Sequence, residues 1–477
     1  GAGSTAAVLR SNVPMGQARR PASGLGTARR RAQATEAMRV RLVLGEAWLP
    51  GGWARDVGLE IEHGWIRRVV PHAPPGFGER RTGRAIPGLP DLHSHLFQRA
   101  MAGLAERRGP GTDSFWTWRQ VMYGFLSRLG PEDVEAIAAQ AMAEMLERGF
   151  TALAEFHYLH HAPDGTPYAN PAEMAERVAA ASDATGLGLT LLPVLYTHGG
   201  FGLPPSEGQR RFLNSTDGYL RLLEASRRAV APLDDPRLGV APHSLRAAAG
   251  EQIAEVLAAA PDGPVHIHVA EQVAEVEACL AWSGQRPVER LLATQPVGPR
   301  WCAVHATHMT AEETRALAAS GAVAGLCPIT EANLGDGFFN AVAYTGAWGV
   351  GSDSNVEITA PGELRLLEYG QRLLHRGRNL LARAEGRSTG EDLYAAALAG
   401  GAQACGRAVG RIAEGARADL VWLAPGATLD DYVFVSGACG VRDVMVAGRT
   451  VVAEGRHVAR GPIRARFERV MERLRDA

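Results

Sequence analysis

A chain of 477 residues, 46% apolar and 21% charged, with a formal net charge of −1, is too long for one small module and carries no basic excess of the kind that nucleic acid attracts. No apolar run approaches the ~20 residues needed to cross a bilayer, so the expected partner is a small molecule, with no nucleic acid and no membrane. All fifty basic residues are arginine, which excludes Schiff-base lysines, a Walker-type lysine and a carboxylated lysine bridging two metals.

In chain order, residues 1–37 hold six arginines against a single acid, Glu36. Their composition resembles a transit peptide and predicts a disordered leader, with the folded chain starting at Met38. Residues 38–84, opening on "MRVRLVLGEAWLPGG", read as strands and turns. From 85 to 407, eight short apolar segments follow: "RAIPGLPDLHSH", "FTALAEFHY", "GLTLLPVLY", "RLGVAPH", "VHIHVAE", "WCAVHATH", "AVAGLCP" and "WGVGSDS". Stretches of helical periodicity such as "PEDVEAIAAQAMAEMLERG" separate them. Eight βα repeats predict an α/β chain folded as a (β/α)8 TIM-type barrel. Residues 408–460 are strand-rich again, so both chain ends are expected to build one small β-sandwich domain. Residues 461–477 read as a terminal amphipathic helix whose charges form a solvated face. The five cysteines, Cys279, Cys302, Cys327, Cys405 and Cys439, contain no Cys-x-x-Cys. They point to a reducing cytoplasm and away from a disulfide framework or thiolate zinc site.

Polar residues gather where the eight segments end. In a strand, residues i and i+2 point the same way, so His93 and His95 present both imidazoles to one side. Glu155 to Tyr158, Tyr196, His243, His268 with Glu271, His305 and Asp353 end the other segments. The C-terminal face of such a barrel holds the active site. His266 reads as a buried structural histidine, and His157, His160, His161, His198 and His308 read as loop or surface residues. Trp116 and Trp118 read as packing.

The motifs "HSH", "VHIHVAEQ", "AVHATH" and "GVGSDSN", in that order on strands one, five, six and eight, resemble the amidohydrolase superfamily in its mononuclear deaminase branch. The resemblance covers roughly Met38 to Val458. Within that branch, "HSHLFQRAMAGLAE", "SFWTWRQVMY", "AEFHYLHH" and "APHSLRA" look like the formimidoylglutamate deiminases, which convert N-formimino-L-glutamate to N-formyl-L-glutamate and ammonia in histidine degradation. The resemblance implies His93, His95, His268 and Asp353 as metal ligands and Glu271 with His305 as the acid–base pair. It implies Gln98, Arg119, Tyr158, His243 and Arg246 as the substrate pocket of a cytoplasmic homodimer. Three imidazoles and a carboxylate suit one Zn2+ per chain, or Fe2+ or another divalent ion. His243 stands where binuclear members place lysine. Two alternatives remain: a deaminase of the same branch acting on a purine, pyrimidine or triazine, and a barrel without catalysis that serves as a binding scaffold.

Overall fold

The structure is a computed structural model that describes residues 39–435 and 440–475; the leader, residues 1–37, and Cys439 lie outside the described residues. β1 (Arg39–Leu49) and β2 (Gly52–Glu62) pair antiparallel, and the alternation of their side chains explains the register. Leu42 and Leu44 face Leu59 and Val57, while Arg39 and Arg41 stand opposite Glu62 and Glu60. Apolar pairs thus share one face and opposite charges the other. β3 (Trp65–Val70) pairs with β2, and β4 (Glu79–Pro87) runs parallel to β1.

The barrel strands are β5 (Leu89–Ser94), β6 (Phe150–His157), β7 (Gly188–Leu195), β8 (Arg237–Leu238), β9 (Ala241–Pro242), β10 (Val265–Val269), β11 (Trp301–His305), β12 (Val323–Leu326) and β13 (Trp348–Val350). Every pairing among them is parallel. β8 and β9 both pair with β7 and are two halves of one strand. The arc β5 to β9 joins the arc β10 to β13 at Val240–Val265 and Ser244–His268 on one seam, and at Ser94–Asp353 on the other. The ring therefore closes with eight strands. β5, β6 and β10 to β12 are buried along their whole length, as expected of parallel strands covered on both faces.

β14 (Leu420–Leu423), β15 (Val441–Val446), β16 (Arg449–Ala453) and β17 (Arg456–His457) extend the first sheet, in the order β17-β16-β15-β14-β4-β1-β2-β3. Strands from both chain ends thus share one sheet. Leu42, Leu44, Val57, Ile61, Ile66, Leu420 and Trp422 form its own apolar core, separate from that of the barrel, an arrangement compatible with the expected sandwich. The last helix, Arg460–Arg475, buries Val470, Met471 and Leu474. Its arginines are not simply solvated. Arg460, Arg466 and Arg473 pair with Glu147, Glu135 and Asp133 of the helix Pro131–Glu147. No helix among the described residues is long and apolar enough to cross a membrane.

One close approach fixes how a helix covers the last barrel strand. The helix Thr389–Cys405 lies directly on the backbone of β13, and a Cβ at Gly400 would stand 1.9 Å from the Trp348 carbonyl oxygen. Alanine normally favours a helix over glycine by up to ~1 kcal/mol. Gly400→Ala should nevertheless destabilise the protein by about 1–3 kcal/mol, because overpacking forces the backbones apart. A denaturant midpoint at or above that of the wild type would show that the helix can step back at no cost.

Candidate active site

The sequence places its polar residues at strand ends, and closure of the barrel brings those ends together. His93 lies in β5, His268 in β10 and His305 at the end of β11, while His95, Glu271 and Asp353 lie just beyond β5, β10 and β13. All six are buried. The Nε2 atoms of His93 and His268 are 3.1 Å apart. Asp353 Oδ1 lies 3.4 Å from His93 Nε2 and 3.3 Å from His95 Nε2. The ligand atoms of His93, His95 and His268 all lie within 4.8 Å of one another, a group that could hold a metal ion, and Asp353 borders it from a second such group with His305 and Cys327.

Burial pushes the His93 pKa down to about 4 and that of His95 to about 3, and holds His268 well below the ordinary histidine value. All three are therefore neutral lone-pair donors. Burial works against ionisation of Asp353, but the hydrogen bond with His93 and the neighbouring His95 and His305 outweigh it and lower its pKa. The tautomer of His95 is set from behind, because Nδ1 lies 3.0 Å from the Phe156 carbonyl oxygen, to which it donates. Its Nε2 lone pair then faces the cluster. Three neutral imidazoles in one buried group are donors that could hold a metal ion.

Left-handed backbone aims these groups. Ala270, His305, Ala306, Asp353 and Asn355 all have φ between 45° and 69°, a region uncommon for residues other than glycine and enriched at functional sites. Asn355 clasps the turn, its Nδ2 donating to Ser94 Oγ and to the carbonyls of His95 and Asp353.

Glu271 and His305 face one another, with Oε1 and Nε2 3.8 Å apart, and His305 Nε2 is also 3.8 Å from Asp353 Oδ2. Burial raises the Glu271 pKa, and the charges of His305 and Arg246 offset only part of that. Burial also disfavours the His305 imidazolium, yet Glu271, Glu331 and Asp353 together raise its pKa. Glu331 Oε1 lies 3.2 Å from His305 Nδ1 and 2.9 Å from the Cys327 N–H, which fixes the ring.

Gln98, Arg119, Tyr158, His243 and Arg246 line the same pocket as His95, His268, Glu271, His305 and Asp353. His93 sits behind, fully buried. Arg119, on the helix Phe115–Leu126, lies 4.6 Å over the Trp116 ring and 5.7 Å from that of Tyr123. Arg246 Nε lies 3.8 Å from Glu275 Oε1, too far for a hydrogen bond. The Nε atoms of both arginines are buried without partners. Gln98 Nε2 donates to Tyr158 Oη at 2.8 Å, which leaves Gln98 Oε1 as an acceptor without a donor. The His243 ring packs 4.5 Å from Tyr196 and 4.8 Å from His268.

Several expectations need correction or addition. His157, His160 and His161 are buried; His160 and His161 donate to the carbonyls of Val194 and Leu213. His266 is buried as expected, with Nε2 2.8 Å from the Ala404 carbonyl. Trp116 supports Arg119, and Trp118 lines the pocket. Glu331, Tyr123, Phe115 and Phe212 reach the site from helices and loops. No spacing in the sequence announces them; only a Glu in the first turn after Pro328 hints at Glu331.

A sequence model described as the amidohydrolase family matches residues 84–451. The chain is 53% identical over 448 residues, covering 90% of its own length and 98% of the relative, to formimidoylglutamate deiminase of Pseudomonas aeruginosa. It is 29% identical over 388 residues, 76% of this chain and 80% of the relative, to 8-oxoguanine deaminase of the same organism. The crystal structure of an amidohydrolase from Brucella melitensis superposes with a TM-score of 0.88 at 49% identity, covering 91% of this chain and 99% of that one. The converging strand ends, the imidazole and carboxylate cluster and a match spanning the whole barrel agree: the chain belongs to the amidohydrolase family.

Proposed function

We propose that the protein hydrolyses N-formimino-L-glutamate to N-formyl-L-glutamate and ammonia, a step of histidine degradation. It is a hydrolase acting on C–N bonds, and the relative matched at 53% identity is named a formimidoylglutamate deiminase. The observation that carries the substrate is the pair Arg119 and Arg246. Two guanidinium groups with unpartnered buried donors line one pocket with the cluster, and planar arginine is the side chain matched to carboxylate. A dicarboxylic substrate supplies one partner for each.

His93, His95, His268 and Asp353 would hold one divalent ion, with zinc the best match to three imidazoles and a carboxylate. When bound, such an ion supplies Lewis acidity and a water nucleophile near neutral pH. Gln98 Oε1 accepts an N–H of the amidine and turns the formimidoyl carbon toward the water. Glu271 takes a proton from the water as its oxygen bonds to that carbon. It passes that proton to the terminal nitrogen, then takes the proton of the hydroxyl now on the carbon and delivers it to the same nitrogen, whose bond to carbon breaks as the formyl carbonyl forms, and ammonia leaves. His305, fixed by Glu331, faces Glu271 and stabilises the charge that develops.

Residues 85–407 carry this chemistry in our reading; residues 38–84 with 408–460 support the barrel, and 461–477 cap it. A cytoplasmic setting is supported by the free, buried thiols of Cys279, Cys302, Cys327 and Cys405. A homodimer is supported by the exposed Leu373, Leu374 and Tyr369 on the helix Ala360–His375, apolar surface of the kind a second copy covers.

The deciding assay is ammonia release from formiminoglutamate alongside a panel of purine, pyrimidine and triazine amines. Faster release from a ring amine would assign the protein to the ring deaminases. Metal analysis of zinc-loaded protein should give a ratio near one per chain, and Asp353→Ala should lower both metal content and turnover. A reproducible ratio near two, with both ions needed for activity, would defeat the single-ion reading. Glu271→Gln should keep the metal and the fold yet lose ~10²–10⁴-fold in kcat, so a wild-type kcat would remove Glu271 from the proton path. Arg119→Ala and Arg246→Ala should each lower kcat/KM for formiminoglutamate by roughly 10²-fold or more, since each leaves a buried carboxylate unpaired. Intact metal content with unchanged kcat/KM in both would overturn the dicarboxylate assignment.

A further inference from the structure

Beside the two arginines stands a group of neutral hydroxyls whose protons can be followed. Gln209 Oε1 accepts from the Ser206 N–H at 2.7 Å and from Ser206 Oγ at 3.2 Å. That fixes the amide, so its NH2 end points at the phenols. Nε2 donates to Tyr196 Oη at 2.7 Å.

The amide brings two N–H donors and each phenol one O–H. With its oxygen accepting from Gln209, Tyr196 keeps its own O–H proton to donate elsewhere. Tyr196 and Tyr123 both line the pocket, as do Arg119 and Arg246. Tyr196 is 4% exposed and its ring packs on His243, so its hydroxyl has little bulk water to serve. Burial raises the Tyr196 pKa, which keeps the hydroxyl protonated, and the charges of Arg246 and Arg119 offset this only in part.

We propose that Tyr196 determines specificity in this pocket: Gln209, donating to the phenol oxygen, leaves its O–H free to donate to the substrate carboxylate held by Arg246. The inference rests on the dicarboxylic substrate argued above. It adds a neutral donor to the charged ones and makes the loop residue Gln209 a positioning residue that acts through Tyr196. A phenol beside a guanidinium favours a carboxylate over a carboxamide, because a carboxamide NH2 would oppose donors with donors.

Kinetics of Tyr196→Phe test this with three substrates: N-formimino-L-glutamate and its two analogues that each lack one carboxylate. KM for formiminoglutamate should rise about 10-fold or more, as for a lost hydrogen bond to a charged group, with kcat within a few-fold of wild type. The same rise should persist with the analogue that keeps the contacted carboxylate and vanish with the one that lacks it. Gln209→Leu should give a smaller KM rise with the same substrate dependence, and provides the test if Tyr196→Phe folds poorly. Unchanged KM in an active Tyr196→Phe enzyme, or an equal rise with all three substrates, would overturn the proposal while sparing the substrate reading. A wild type that releases no ammonia from formiminoglutamate would overturn both.

Discussion

The structure depends on one backbone seam. The Asp353 N–H donates to the His93 carbonyl, and the His95 N–H donates to the Asp353 carbonyl, each at 2.9 Å. These two bonds join the first strand of the barrel to the loop after its last. They close the ring and, in the same act, set the carboxylate between two imidazoles. At Gly351 a Cβ would stand 2.6 Å from the His93 carbonyl, so the approach also requires the absence of a side chain there. Fold and site are thus fixed by the same contact, and a change that loosened the seam would disturb both.

Behind the imidazoles, buried acids replace backbone acceptors where the strands separate. Asp91 accepts from the N–H groups of His93 and Ser352, Glu155 from Leu96, Glu331 from Cys327 and Glu363 from Ile329. Burial raises the Asp91 pKa to about 7 and lifts Glu155 and Glu363 well above the carboxylate range. Glu155 and Glu363 tie down loops through these bonds, and burial disfavours their charge beside Asp353. A barrel end that must open for a ligand still keeps its backbone groups satisfied in this way.

The eight barrel strands were legible because each is an apolar run that stops at a polar residue, and the six residues of the cluster were legible because each stands at such a stop. The split of the fourth strand into β8 and β9 left no mark in the run "RLGVAPH". Histidine burial was misread at 157, 160 and 161, since the backbone carbonyls that receive His160 and His161 come from segments distant in sequence. Glu331, Gln209 and Tyr123 could not be found by spacing: they reach the pocket through tertiary packing of a short helix, a loop and a longer helix. The charges of the last helix were read as solvated because their partners, Asp133, Glu135 and Glu147, lie more than three hundred residues earlier.

The unpartnered atoms of the pocket have a thermodynamic consequence. Arg119 Nε, Arg246 Nε and Gln98 Oε1 are buried donors and an acceptor without partners, and groups of this kind each weaken a fold by about 1–3 kcal/mol. A ligand that satisfies them binds the folded chain and not the unfolded one, so it shifts the folding equilibrium by RT ln(1 + [L]/Kd). Affinity and unfolding temperature are then two readings of one linkage. A ligand that fills the pocket is therefore expected to raise the unfolding temperature in step with its affinity.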